Sequence, residues 1–234
     1  MTAAFYLDGL PITFSPGQSI LQAAQASGQY IPHLCYHPKV GVHGSCRVCM
    51  VRVEGRMQAA CSSPAVAGQQ VENNTAELCN LRRQIIDMLF IEGNHICPAC
   101  AHSGNCQLQA VAYHCGLLAS EFMHLFPQRS IDASHPALIL DHNRCILCDR
   151  CGRASQQLDG KQTLLLQGRG LNTHLQPDSK SATLGDTPIS IQDAAAHICP
   201  TGALLPKRQA YSIPIGSRRF DKGRTQALLQ EDGE

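Results

Sequence analysis

Eleven of the thirteen cysteines in this 234-residue chain sort into three sets by spacing alone. The most specific set is Cys145-x-x-Cys148-x-x-Cys151 with a remote Cys199 followed by Pro200. Thiolates at three-residue intervals wrap one face of an iron–sulfur cubane, and a distant Cys-Pro supplies the fourth corner. A two-cluster ferredoxin would carry a further cysteine at position 155; here it is Ser155, so the run supports one [4Fe–4S] cluster. Structural zinc sites draw instead on separated pairs of Cys or His.

The set nearest the N-terminus reads Cys35-x10-Cys46-x2-Cys49-x11-Cys61. Its centre is a glycine-containing loop, Gly41 to Ser45, that delivers Cys46 and Cys49. Such a loop can turn backbone N–H groups toward cluster sulfurs, as a [2Fe–2S] site requires. Arg47 reads as a solvent-facing residue, or as an offset to cluster charge. The middle set, His95-x-Cys97-x2-Cys100-x5-Cys106, is one thiolate short of a cubane. His95 is the nearest upstream candidate for the fourth ligand, and His102 lies inside the loop. A neutral imidazole makes a cluster one unit less negative and raises its potential. Taken alone, this set also suits a zinc site of three Cys and one His. Cys115 reads as an inert thiol on an apolar helix face, Cys79 has no assigned role, and His33 and His37 read as ordinary polar residues.

The elements that must position these donors are legible in outline. Ala4–Leu7 and Pro11–Phe14 flank Asp8-Gly9 as a hairpin. A short helix over Gln18–Ser27 stops at Gly28, and residues 48–53 form a strand. Hairpin, helix, cysteine loop and strand is a β-grasp layout. Thr75 caps a helix whose apolar positions are Leu78, Leu81, Ile85, Met88 and Leu89, ending near Glu92-Gly93-Asn94. Leu108, Val111, Ala112 and Cys115 share a face of a further helix. Ile139-Leu140 and Thr163–Leu166 read as strands, Ile191–His197 as a helix into Cys199, and residues 168–187 as an irregular excursion. From Ala210 the chain reads as an extended tail with an acidic end, a partner-docking segment whose removal should weaken assembly and leave all the clusters in place.

The fold class expected is α+β, in four parts: a β-grasp [2Fe–2S] domain over 1–74, a helical His/Cys-ligated segment over 75–130, a ferredoxin-like [4Fe–4S] domain over 131–209, and the tail over 210–234. A net charge of +1 gives no electrostatic footprint for nucleic acid. Apolar runs are too short to span a bilayer, and no signal peptide is expected. Clustered thiols in a cytoplasmic chain point to metal or redox chemistry rather than disulfides. No dinucleotide fingerprint, P-loop or Gly-x-Ser-x-Gly is present, so the chain is expected to carry electrons with no catalytic residues of its own.

The series resembles the N-terminal part of the large iron–sulfur subunit of respiratory complex I and of iron-only hydrogenases. The matching stretches are Tyr30-Ile-Pro-His-Leu-Cys35, Gly44-Ser-Cys-Arg-Val-Cys49, Glu92-Gly-Asn-His-Ile-Cys-Pro-Ala-Cys100, Ser103-Gly-Asn-Cys-Gln-Leu-Gln109 and Ile198-Cys-Pro-Thr-Gly202. Complex I subunits continue into a large further domain and set their ligand histidine four positions before the first Cys; here the offset is two. Both features are similar to the small diaphorase subunit of soluble NAD-reducing [NiFe] hydrogenases. That resemblance implies partners: a flavin- and NAD-binding diaphorase subunit and the hydrogenase small and large subunits. FMN, NAD and the nickel–iron centre would lie in those partners. It also implies a cluster order running from the flavin side through the [2Fe–2S] cluster and the Cys145 cluster to the His-ligated one. A complex I-like NADH oxidase or an NAD-dependent formate dehydrogenase would use the same chain, and a zinc-stabilised interaction module is the reading from a different class.

Overall fold

Asp8 and Gly9 both take positive φ (49° and 83°), so a two-residue turn joins strand β1 (Ala4–Leu7) to strand β2 (Leu10–Thr13) with Leu7 opposite Leu10. The computed structural model describes residues 3–230; the acidic end of the tail, residues 231–234, lies outside them. Helix α1 (Ile20–Ala26) begins on a capping box: Ser19 accepts from the Gln22 N–H, and the Gln22 side chain accepts from the Ser19 N–H. A second hairpin joins β3 (Met50–Val53) to β4 (Arg56–Ala59) through Glu54-Gly55, again both at positive φ. Glu is uncommon in such a turn, which is why the sequence does not advertise β4. Strand β5 (Gln70–Glu72) closes a sheet of order β2-β1-β5-β3-β4 by pairing parallel to β1 and antiparallel to β3. Phe5, Ile20, Leu21, Ile31 and Val51 fill the core between this sheet and α1.

Helix α2 (Ala76–Ile91) starts at Thr75, whose hydroxyl accepts from the Leu78 N–H. Its buried stripe is Leu78, Arg82, Ile86 and Asp87, whereas Met88 is exposed. The apolar spacing therefore located the helix but missed the charged part of its inner face. Arg82 is held by the carbonyls of Asn73 and Met50, both at 2.7 Å, and Asp87 anchors the next loop by accepting from Ser120 and the Glu121 N–H. Helix α3 (Gln107–His114) buries Leu108, Val111 and Ala112 as expected, while Cys115 is half-buried at its end.

In the remaining part, β6 (Ile131–Asp132), β7 (Leu138–Asp141) and β10 (Leu204–Pro206) form a sheet of order β10-β7-β6, with helix α4 (Arg150–Gln157) between. Strand β8 (Leu164–Gln167) falls where a strand is expected, and it pairs as a hairpin with β9 (His174–Pro177), which lies inside the stretch read as irregular. Pro177 hides β9 from sequence reasoning, yet a two-stranded ribbon has only edges, where proline is tolerated. The helix expected over Ile191–His197 is a single 3-10 turn, Ala194–Ala196. Side chains fix it there: Asp159 accepts from the N–H groups of Ala194 and Ala195, and Asp193 accepts from Ser190 N–H while pairing with Lys161 at 2.7 Å. The tail is not extended. Over its described residues it folds back across the Cys97–Cys106 loop and forms helix α5 (Arg224–Gln230), packed on α3 with Phe220 and Leu228 buried. Its many polar residues concealed two apolar anchors.

A candidate set of iron–sulfur sites

The first set sits where the β-grasp sheet hands over to its loops. Cys35, Cys49 and Cys61 are buried and Cys46 is half-buried. The four thiols meet in two pairs. A hydrogen bond from Cys46 pulls the Cys35 thiol down to about 4 and pushes Cys46 well above its ordinary value. Cys49 and Cys61 pair likewise, Cys49 raised and Cys61 lowered by their shared hydrogen bond. Two pairs of sulfurs, Cys35/Cys46 and Cys49/Cys61, are the donor set a rhomb of two irons needs. Arg47 stands at φ 57° with its side chain exposed, which settles it as solvent-facing. Its left-handed backbone turns the next amide so that the Val48 N–H reaches the Cys46 sulfur.

The third set uses the same device. Leu147 and Asp149 take φ of 54° and 57°, and the N–H groups of Leu147 and Arg150 point at the sulfurs of Cys145 and Cys148. Burial pushes the Cys145 thiol up to about 11 and Cys148 up to about 12. Helix α4 starts inside the run and carries Cys151 inward, and the Ala203 N–H donates to the Cys199 sulfur at 3.2 Å. Cys145, Cys148, Cys151 and Cys199 line one tight hollow. Four desolvated thiols facing one another fit a cationic iron–sulfide core, whose charge would let them ionise. Ser155, at the place of the missing cysteine, is buried and hydrogen-bonds to Thr163 at 2.7 Å, so a hydroxyl pair fills that corner.

The second set lines an open cleft of about 430 Å³ with His95, Cys97, Cys100 and Cys106 on its walls. Cys106 caps α3, its sulfur accepting from the Gln109 N–H at 3.5 Å. Burial lowers the His95 imidazole to about 4, helped by Arg144, so the ring is neutral. Its Nε2 is buried and has no hydrogen-bond partner. A neutral ring with an unpartnered nitrogen, lining one cleft with three thiols, fits the fourth ligand of a cluster. His102 is lowered to about 4 as well, again by burial, so protonation does not separate the two. Geometry does. The His102 ring lies on the Gly202 backbone, where a Cβ would stand 2.5 Å from Cγ, and it does not line the cleft. Its backbone N–H donates to the Cys100 sulfur at 3.4 Å instead.

Among the described residues, no three His, Cys, Asp or Glu side chains converge on a point that one metal ion could fill. Cys79 and Cys115 line neither hollow. Cys79 donates to Asn74 at 3.3 Å, and burial raises Cys115 to about 11.

Three residues that spacing rules do not flag complete the picture. Thr201, 2% exposed, lines both hollows and lies 3.6 Å from the Cys199 sulfur, so one side chain forms the wall between the second and third sites. Asn143 accepts from the Asn94 N–H at 2.9 Å and ties the two loops together. Gly93 gives His95 its room: a Cβ there would lie 2.6 Å from the Asn143 carbonyl oxygen and 2.7 Å from His95 Nε2. Gly93→Ala is therefore expected to displace the ring or the 142–144 turn. Iron analysis should then show a loss of about four irons per chain, with the other sites filled.

Known proteins agree with this division. Residues 2–76 match the family model of a 2Fe-2S iron-sulfur cluster binding domain. Residues 82–120 match the NADH-ubiquinone oxidoreductase-G iron-sulfur binding region, and 135–205 the ferredoxin-like domain of NADH-quinone oxidoreductase subunit 3. The gamma subunit of the NAD-reducing hydrogenase HoxS of Cupriavidus necator is 37% identical, over 99% of this chain and 100% of its own length. The NADPH-Fe(3+) oxidoreductase subunit alpha of Geobacter sulfurreducens is 32% identical over 86% of this chain but only 24% of its own. A crystal structure of an NAD+-reducing [NiFe]-hydrogenase in the H2-reduced state contains a chain that superposes with a TM-score of 0.95 at 51% identity, each chain covered to 99%.

Proposed function

The chain belongs to the family of NAD-reducing hydrogenase gamma subunits, and from that premise we propose that it relays electrons between a flavin- and NAD-binding diaphorase subunit and a [NiFe] hydrogenase module, in the reaction H2 + NAD+ to NADH + H+. The ligands proposed are Cys35, Cys46, Cys49 and Cys61 for one [2Fe–2S] cluster. Cys145, Cys148, Cys151 and Cys199 would hold one [4Fe–4S] cluster, and His95, Cys97, Cys100 and Cys106 the other. The observation that carries the reading is that His95, whose buried Nε2 has no hydrogen-bond partner, lines the same cleft as the three thiols. Substrate conversion is assigned to the partner subunits, and the complex to the cytoplasm. The domain bounds proposed are 1–74, 75–130, 131–209 and 210–234, the last as a folded cover rather than a free tail.

When bound, the clusters supply reversible one-electron exchange. The protein's own part is to fix their order and exclude water. Carbonyls of the Cys35 loop are held by Arg153 of α4, which ties the first site to the third. The third site joins the second through Thr201 and through the Gln107 N–H, which donates to the Pro200 carbonyl at 2.8 Å. These contacts support the order first, third, second. Anaerobic purification of the complex should give about ten irons per copy of this chain, with matching acid-labile sulfide. It should also bring down a flavin subunit and a nickel–iron subunit. A zinc-only preparation, or one without those partners, sinks the assignment.

A further inference from the structure

Helix α4 carries two buried arginines on either side of Cys151, and neither meets a carboxylate. Arg150 is 1% exposed, and its Nη2 donates to the Tyr36 carbonyl at 2.5 Å. Arg153 is 9% exposed and reaches five carbonyls: Cys35 at 2.6 Å, Gly41 at 2.8 Å, Val40 at 2.9 Å, its own helix's Asp149 at 3.3 Å and Cys148 at 3.4 Å. Among the described residues neither forms an ion pair, although the half-buried Asp149 carboxylate lies near enough to Arg153 for each charge to favour the other. A buried charge satisfied only by carbonyl dipoles carries a large desolvation penalty unless an anion stands near. The groups gathered around this pair are backbone segments that each bear a thiol proposed as a ligand: Cys35 on one side, Cys148 and Cys151 on the other.

We propose that Arg150 and Arg153 are potential-setting residues shared by the [2Fe–2S] site and the Cys145 site. The inference rests on the ligand assignment above. Four thiolates outweigh the positive charge of either iron–sulfide core, so each site is an anion, and each gains a further unit of charge on taking an electron. The guanidinium charges favour that added unit at both sites, because they lie between them in a region with little water to screen it. The pair thus eases the reduction of both centres and offsets the repulsion between two anions held close together. The arginines touch carbonyls rather than iron or sulfide, so they act through position and charge.

The test is an EPR-monitored redox titration of the intact complex carrying Arg153→Gln, Arg150→Gln or Arg153→Lys, with iron and sulfide counted in each. Glutamine variants that keep their iron should show both midpoint potentials shifted to more negative values, with the His-ligated cluster shifted least. Arg153→Lys retains the charge and loses the fork, so its midpoints should stay near wild type. A glutamine variant with full iron and unchanged midpoints overturns the proposal. So does Arg153→Lys shifting as far as Arg153→Gln, or iron loss in all three variants, since the guanidinium would then be only a clamp. Absence of the two cluster signals from the wild-type complex would instead defeat the ligand assignment itself.

Discussion

His95→Ala is expected to erase the paramagnetic signal of the second cluster and to remove about four irons per chain, while the signals of the other two clusters persist. The cleft offers Cys97, Cys100 and Cys106 as thiolate donors, and the imidazole is the fourth group on its walls with a free lone pair. The ring is held by Phe90, in edge contact at 5.4 Å, and by the space that Gly93 leaves open. Alanine cannot span that gap, and a cubane with three protein ligands loses iron readily. His102→Ala is the control. Its ring packs on Gly202 outside the cleft, so that variant should retain the signal. Loss of the signal in His102→Ala with its survival in His95→Ala would reverse the assignment.

Removing residues 210–234 is expected to destroy the same cluster, contrary to what the sequence reading of a docking tail implies. Tyr211 donates to the Ala99 carbonyl at 2.8 Å, Arg218 to the Ser103 carbonyl at 3.1 Å, and the Phe220 N–H to the Gly104 carbonyl at 2.9 Å. The tail is thus the outer wall of the loop that carries Cys97, Cys100 and Cys106. Burial of Phe220 and Leu228 against the α3 core contributes about 1.5–3 kcal/mol each, which the truncated chain forfeits. Phe220→Ala, at a cost of about 3–5 kcal/mol, should give a partial form of the same defect. Iron analysis and EPR of the truncated protein check this directly; three intact clusters would show that the tail is dispensable for the site.

The proposed donors could be singled out in the sequence because most of them lie close together along the chain. Cys145, Cys148 and Cys151 lie within one loop and the start of one helix, and the Asp8-Gly9 hairpin and the Thr75 cap are decided within four residues. What stayed hidden depends on contacts between distant segments. Nothing local marks Arg150 and Arg153, whose partners Tyr36 and Cys35 lie 114 and 118 residues away. Phe220 looks like one aromatic in a polar tail until Gly104 receives it. Strands β4, after the Glu54-Gly55 turn, and β9, ending at Pro177, were missed for another reason: Glu in the turn and Pro in the strand are poor formers of the structures they adopt, and tertiary pairing overrides that preference.

The folded-back tail also bears on biogenesis. Arg218 and Arg219 meet Ser103 and Asn105 across 115 and 114 positions. Chains emerge from the ribosome N-terminus first at about 5–20 residues per second. The walls of the second site therefore stay incomplete until Arg218 and Arg219 have been made. The first site waits similarly for α4 to bring Arg153 to Cys35. Loading of the second site is therefore expected to follow synthesis of the segment around Arg218 and Phe220, which closes its outer wall.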